Sequence, residues 1–298
     1  MADSISPVYV GEEAAGFVSA SLLSGDTLGQ GAITVLPNVS YKVNLKKFDL
    51  TSSSVRDASC DFDDYGDVNY AEKALTPEGF AVNKQLCKLD WLNTYAGSQM
   101  NVGVNSVLPS SFEEYIISNI GAVVGADVET SIWQGATSNN GEFDGFQTQF
   151  LADSDVEDVA GTTLSATNIV EELGKVRDAI PAAIYGKEDL AIYVGTNAFK
   201  FYVSAQAALG YLNQFHAGVT EANFEGIKII ACSGLSDDTM VAARKSNLFF
   251  ATDLSGDMTE VRLLDMADKD GSDNVRVIMK WNAGVGYAYG SEVVFYYS

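Results

Sequence analysis

The segment SSFEEYIISNIGAVVGADVETSIWQ, Ser110 to Gln134, is the longest stretch with a helical period, and it constrains the rest of the chain most. Phe112, Ile116, Ile120, Val123, Val124, Val128 and Ile132 recur at steps of three and four, which places them on one stripe of a helix. Pro109 suits a first turn, Ser110 or Ser111 offers a capping hydroxyl, and Glu113 and Glu114 lie at the positive end of the helix dipole. Such a helix is roughly 37 Å long. Gly121 and Gly125 fall inside it and weaken it by about 1 kcal/mol each relative to alanine. Among short strands, a helix of this length reads as a spine with other elements laid against it. Taken alone, it is also what an ordinary core helix of an α/β protein looks like.

Around that spine the chain divides into stretches of different character. Residues 1–40 are small and polar, with a short helix expected over Glu13 to Leu23, glycine breaks at Gly25-Asp26 and Gly29-Gln30-Gly31, and a strand over Ala32 to Leu36. This arm has too little apolar mass to fold alone and is expected to lie along another surface. Residues 41–95 alternate: Tyr41-Val43-Leu45 and Phe48-Leu50 on one side, Phe80-Val82 and Leu86-Lys88-Asp90 on the other, with an acidic tip from Asp57 to Thr76. That pattern predicts a long two-stranded ribbon, which is only marginally stable unless it rests on a partner. After the spine, Gly135 to Gly145 is loop. Asn168 to Ile180 predicts a second helix, with Asn168 and Glu171 as a capping box and Ile169, Val170, Leu173, Val176 and Ile180 as its stripe. Leu190 to Val194 is a strand, Asn197 to Leu209 a third helix, and Ile227 to Ala231 a buried strand. Asn247 to Ala251 and Glu260 to Leu264 are strands, and Val275 to Trp281 and Val285 to Tyr297 close the chain as two more. The plan is α+β, with a middle unit inserted between elements that share one sheet.

A chain of 298 residues with 47% hydrophobic content folds a proper core, and no apolar run reaches membrane-spanning length. The N-terminal MADSISPVYVGEEAAG has no basic region followed by an apolar one, so the expectation is a chain kept in a cytoplasm or released by lysis. Cys60, Cys87 and Cys232 are far apart and read as reduced thiols rather than a zinc site. A formal net charge of −22 argues against gripping nucleic acid or anionic membranes, while keeping a densely assembling protein soluble.

Candidate chemistry is sparse. His216 is the one histidine and sits in a turn-rich loop without a nucleophile elbow. There is no Walker loop and no strand-linked G-x-G-x-x-G, so no cofactor is expected. Asp61, Asp63, Gly66 and Glu72 match the first, third, sixth and twelfth places of a calcium loop, yet Tyr65 stands where Asp or Asn belongs and no helix flanks it. A solvated acidic tip explains the same residues. Asp268 to Asp273 reads as a turn between strands. A hydrolytic carboxylate pair stays open as an enzyme alternative, although nothing singles one out among 40 acidic residues.

An arm, a ribbon needing a partner and a glycine-marked spine are features of a subunit completed by its neighbours. With the stretch Asn168 to Gly195 ending in LAIYVG, then NFEGIKIIACSGLSDDTMVAARKSNLFFATDL over Asn223 to Leu254, the order of elements resembles the major capsid proteins of tailed bacteriophages, the Hong-Kong-97-type fold. The resemblance implies an N-terminal arm at 1–40, an extended loop at 41–95, a peripheral domain with the spine helix at 96–135, an axial domain at 136–254, and peripheral closing strands at 255–298 with a break at Ala283-Gly284. It also implies a structural role without catalysis: hexamers and pentamers of the chain forming an icosahedral head around double-stranded DNA, assembled in the host cytoplasm. A portal and decoration proteins belong to such a head, and a chain starting at Met1 with the arm implies a separate scaffolding protein. Gly121 and Gly125 become bending points of the spine, and Gly210, His216 and Gly218 an axial loop near the capsomer centre. Lys46, Lys47, Lys73, Lys84 and Lys88 are read as surface charges. An encapsulin-type compartment and, further off, a tail or surface-layer protein are the alternatives.

Overall fold

The computed structural model describes residues 8–10, 22, 25–50, 55, 57–58, 60, 68–87, 110–209, 222–253 and 260–298. In chain order the strands are β1 (Val8–Val10), β2 (Thr34–Leu36), β3 (Val43–Leu50), β4 (Val68–Leu75), β5 (Glu78–Cys87), β6 (Glu157–Ala160), β7 (Leu190–Gly195), β8 (Ala222–Phe224), β9 (Ile227–Cys232), β10 (Met240–Arg244), β11 (Leu248–Thr252), β12 (Glu260–Asp265), β13 (Asn274–Tyr287) and β14 (Val294–Tyr297). The helices are α1 (Asp26–Gly29), α2 (Ser110–Gln134), α3 (Phe146–Ala152), α4 (Ile169–Ala179), α5 (Thr196–Ala208) and α6 (Ala267–Asp270). Among the described residues no helix is long and apolar enough to cross a membrane.

One sheet is built on β13. Its first half alternates buried Val275, Val277, Met279 and Trp281 with exposed Arg276 and Lys280, the period of a strand with one wet face. Antiparallel partners are β12 along 275–280, β5 along 274–283 and β11 along 283–287. β1 extends the sheet beyond β12, and β2 runs parallel beside β11. The second sheet has the order β6-β14-β10-β7-β9-β8. Its central strand β7 is buried throughout, as the unbroken apolar run LAIYVG requires. Alternation along β7 splits the core into two. Ile192 and Val194 pack with Leu173 and Val176 of α4 and Tyr202 of α5. Ala191 and Tyr193 face the other way, into a cluster with Ile132 and Trp133 of α2, Phe150 of α3 and Trp281 of β13. The spine is therefore clamped between the two sheets.

Helix α2 runs over the expected residues, with Ile116, Val124, Val128 and Ile132 buried. Val123 is 62% exposed and lies off the stripe, where Glu129 and Trp133 take buried places. Over residues 110–115 only the backbone is described, so the side chains of Phe112 and of the capping residues fall outside the description, as does the expected helix over 13–23 apart from buried Leu22. The glycine-marked break near Gly25 is instead the short helical turn α1.

Several strand assignments are corrected by the pairing. The ribbon is β3 with β4, in register from Val43 opposite Leu75 to Leu50 opposite Val68. Its return strand lies in the stretch that reads as an acidic tip, because VNYAEKAL is poor in β-branched residues and hides its strand character. The segment Phe80 to Leu86, expected as the ribbon's second strand, is β5 of the first sheet. β11 also belongs to the first sheet, paired with β13. Ala283-Gly284 is no break, since β13 passes straight through it. A Cβ at Gly284 would stand 3.0 Å from Pro77 Cα and 3.3 Å from the Thr76 carbonyl oxygen, so the glycine marks the place where the turn between β4 and β5 crosses the strand. The chain leaves the first sheet after Tyr287, and β14 pairs with β6 and β10 in the second sheet rather than closing the first.

The capping box on α4 is not formed. Asn168 caps the preceding turn instead: its Oδ1 accepts from the Ser165 backbone N–H at 2.7 Å, and its Nδ2 donates to the Thr163 carbonyl at 3.0 Å. The acid that matters on this helix is Glu172, one residue beyond the expected one. It is 3% exposed and accepts from Tyr296 Oη at 3.0 Å, Thr162 Oγ1 at 3.1 Å and Lys175 Nζ at 2.9 Å. Burial opposes ionisation there, but these donors hold its carboxyl below the usual carboxylate range.

Candidate functional site

The feature that sets this molecule apart from a self-contained domain is the ribbon and its root. Strands β3 and β4 pair only with each other among the described residues. Tyr41 is 81% exposed and Tyr70 75%, and the Phe48 and Tyr70 rings, opposite each other in the register, meet edge to face at 5.4 Å. Beyond its root the two-stranded sheet carries the exposed aromatic pair Phe48 and Tyr70.

At its root the ribbon is seated firmly. Leu75 is buried with Val39, Leu45 and Ala251, and it packs over Gly286, where an added Cβ would stand 3.2 Å from its Cδ1. Lys73 Nζ lies 2.9 Å from Asp153 Oδ2, just beyond α3, and 3.3 Å from the centroid of the Tyr287 ring. Tyr287 Oη donates to the same Asp153 oxygen at 2.7 Å. A second lysine, Lys47, stands 5.7 Å over the Tyr289 ring, whose hydroxyl accepts from the Phe48 backbone N–H at 3.4 Å. Two lysines of the ribbon thus sit on two tyrosines at the end of β13, a cation–π arrangement reinforced by one ion pair. Lys73 is not the free surface charge expected of it. Its signal is the alternation in β4 that puts it on the ribbon beside Leu75, and a reading of that stretch as a tip conceals it.

Burial opposes ionisation of Asp153, but the hydrogen bonds from Tyr287 and Lys73 overcome it and hold the carboxyl at about 2. Burial pulls the Lys73 ammonium down from its ordinary value. The cost of burying the ammonium therefore offsets much of what the carboxylate gains, and the pair fixes geometry more than it adds stability. The carboxylate's contribution is present above its unfolded value, about 4, and is lost as the pH falls through about 2. Lys73→Met, which keeps the stem and removes the charge, is expected to lower the stability of the unassembled chain by about 1–2 kcal/mol at neutral pH and to flatten its acid limb. Urea titrations at a series of pH values check this, and an unchanged acid limb contradicts the pairing.

The arm is anchored on the core by two side chains. Trp133 Nε1 donates to Thr27 Oγ1 at 2.8 Å, and Tyr193 Oη donates to the Ala32 carbonyl at 2.6 Å.

The remaining expected sites are placed as follows. Gly121 and Gly125 are interior to α2 on its buried side. Gly210, His216 and Gly218 lie outside the described residues, as do Asp61 and Asp63. Glu72 is a residue of β4, not the end of a loop, and its Oε2 accepts from Asn44 Nδ2 at 2.9 Å. Among the described residues no group of three His, Cys, Asp or Glu side chains is placed to hold a metal ion. Cys232 is buried, and burial pushes its thiol far up, out of the reactive range.

Two sheets clamping a long spine, with an arm and a projecting ribbon, define the Hong-Kong-97-type capsid fold. The solved structures that share it include a chain of the satellite phage P4 procapsid, at TM-score 0.58 and 10% identity, covering 95% of this chain and 98% of that one. The capsid of cyanophage P-SCSP1u matches at TM-score 0.57 and 12% identity, over 92% of this chain and 88% of that one. The virus-like particle from Pyrococcus furiosus matches at TM-score 0.55 and 12% identity, over 96% and 98%. No family model and no curated protein sequence matches the chain.

Proposed function

We propose that this chain is the major capsid protein of a tailed phage, a structural subunit without catalytic activity that assembles into the pentamers and hexamers of an icosahedral head around double-stranded DNA. The observation that carries the reading is the ribbon: an exposed aromatic pair on two strands that pair only with each other among the described residues, in a fold whose solved relatives include phage capsids. In this reading the ribbon lies over an adjacent subunit and the arm reaches along it. Many weak contacts repeated by symmetry hold the shell. The second sheet with α4 and α5 forms the axial unit, and the segment bearing Gly210, His216 and Gly218 is assigned to the capsomer centre. The first sheet and α2 form the peripheral unit. The acidic balance suits a wall that does not adsorb the DNA it encloses. A separate scaffolding protein, a portal and decoration proteins are the partners this role calls for, with assembly in the host cytoplasm.

Replacing Tyr41 and Tyr70 together with serine tests the ribbon's part. The account predicts an unchanged unfolding midpoint and a loss of assembly of at least about tenfold in light scattering, since aromatic anchors carry most of an interface's energy. Full assembly by the double variant sinks it. The glycines of the spine give a second test. If Gly121 and Gly125 let α2 bend between a precursor and an expanded shell, changing both to alanine slows or blocks expansion. Expansion at the wild-type rate, followed by small-angle scattering, removes them from the mechanism.

An encapsulin-type compartment is the second reading, favoured by the likeness to the virus-like particle from Pyrococcus furiosus. The content of native particles separates the two. Packaged DNA fits the phage head, and enclosed protein without DNA fits the compartment.

A further inference from the structure

Glu129 is on the buried face of α2, one turn before Trp133, and is 3% exposed. Its Oε2 accepts from the Thr27 backbone N–H at 3.1 Å, and its Oε1 accepts from the Thr27 hydroxyl. That hydroxyl oxygen also accepts from Trp133 Nε1 at 2.8 Å. Gly25 lies directly over the acid, where an added Cβ would stand 3.2 Å from Glu129 Cβ, so the arm closes on the carboxyl without a side chain between. From the far side the backbone of Gly234 and the thiol of Cys232 face the same group. Two titratable groups therefore face Glu129: Asp26 of α1, which has the same sign, and Cys232 of β9, whose buried thiol stays protonated. Among the described residues no lysine or arginine is paired with it.

A carboxyl buried without a cation resists ionisation. Burial raises Glu129 above the ordinary glutamate range, and Asp26 adds to the effect, while the Thr27 donors only partly offset it. We propose that Glu129 is a proton-operated clasp that joins the arm segment Gly25–Ala32 to the spine helix, gripping the arm when protonated and loosening it when ionised. The protonated form completes its hydrogen bonds without new partners. Its O–H donates to the second lone pair of Thr27 Oγ1, beside the Trp133 N–H, and the Thr27 hydroxyl proton turns toward the Cys232 sulfur that it faces.

The sign follows from the direction in which burial moves the acid. At pH above the raised value the docked arm carries a buried charge, and docking is weakened. As the pH falls through that value the docked state takes up a proton, and the arm is held more tightly until the exposed acid also protonates, at about 4. Asp153, Glu172 and Asp189, whose carboxyls are lowered by their partners, behave in the opposite sense. Mild acid therefore tightens the arm while leaving the ribbon root and the second sheet as they are.

Hydrogen exchange on the full-length, unassembled chain tests this, whatever the role of the shell. Protection of the amides of residues 25–33 is measured between about pH 8 and about pH 5 and referenced to β10, which cancels the intrinsic pH dependence of exchange. The clasp predicts that relative protection of the arm rises at least about twofold across that range, because the docked acid takes up its proton at a higher pH than the exposed one. It also predicts that Glu129→Gln, neutral and of the same shape, is protected at both ends and shows no slope. A flat wild-type profile overturns the proposal, and so does a Glu129→Gln chain that keeps the wild-type slope. Should that variant fail to fold, infrared difference spectra of the wild type decide instead. The C=O band of a protonated buried acid is expected to grow in step with arm protection, and a band that does not follow the protection profile overturns the clasp.

Discussion

Replacing Trp133 with alanine is expected to destabilise the unassembled chain by about 3–5 kcal/mol, a large part of the whole stability of a domain. Trp133 is fully buried, its ring lies 5.4 Å from both Phe146 and Tyr193, and its Nε1 holds Thr27. It is the point where the spine, the second sheet, helix α3 and the arm meet, so the loss opens a cavity shared by four elements and also removes the N–H that the buried Thr27 hydroxyl accepts from. Trp133→Phe keeps most of the packing and removes the donor, so it is expected to cost about half as much. Urea unfolding followed by circular dichroism reads both. A cost below about 1 kcal/mol for the alanine variant would place the side chain outside the core and contradict the clamped spine.

The second large effect is expected at the loop that turns the chain off the spine. Gly145 N–H donates to the Gly135 carbonyl at 2.9 Å. A Cβ on Gly145 would stand 2.6 Å from the Ser131 carbonyl oxygen and 2.8 Å from both the Gly135 nitrogen and the Trp133 carbonyl carbon. These are backbone atoms of a helix end, with no flexible side-chain tip to give way. Gly145→Ala is therefore expected to cost about 3 kcal/mol or more. Gly174 provides the contrast, being interior to α4 with open space where its Cβ would be. Gly174→Ala is expected to stabilise by about 0.5–1 kcal/mol. Thermal or urea unfolding of the two variants should move in opposite directions. If both move alike, the close approach at Gly145 is not what limits the fold.

The sequence was most legible where a period was long or a run was short and unbroken. Helix α2 declared itself over 25 residues, and LAIYVG could only be a strand covered on both faces. Pairing was not legible. Nothing in Phe80 to Leu86 says that its partner is β13 rather than β3, because both partners offer a matching alternation and only the tertiary register chooses. Gly284 looked like a strand end, since a glycine that ends a strand and one that admits a crossing backbone are the same letter. The sheet switch at β14 was hidden for the same reason, as Val294 to Tyr297 would suit either sheet.

The candidate site was legible in its parts but not in its contacts. The expectation that the ribbon rests on a partner follows from its alternation and its small apolar content. The lysine that roots it does not, because its partners Asp153 and Tyr287 lie 80 and 214 positions further along the chain. Glu129 could have been noticed. It stands three and four residues before Ile132 and Trp133, on the apolar stripe, where an acid needs a reason.

The central claim is that this chain completes itself only in a shell. Electron microscopy of the purified full-length protein, with its mass measured in solution, tests that claim most directly. The account predicts closed icosahedral shells, or rings of five and six subunits when assembly is incomplete, with arms and ribbons lying across neighbours. A monodisperse monomer near 31.8 kDa, unchanged on concentration and on addition of a scaffolding protein, would contradict it.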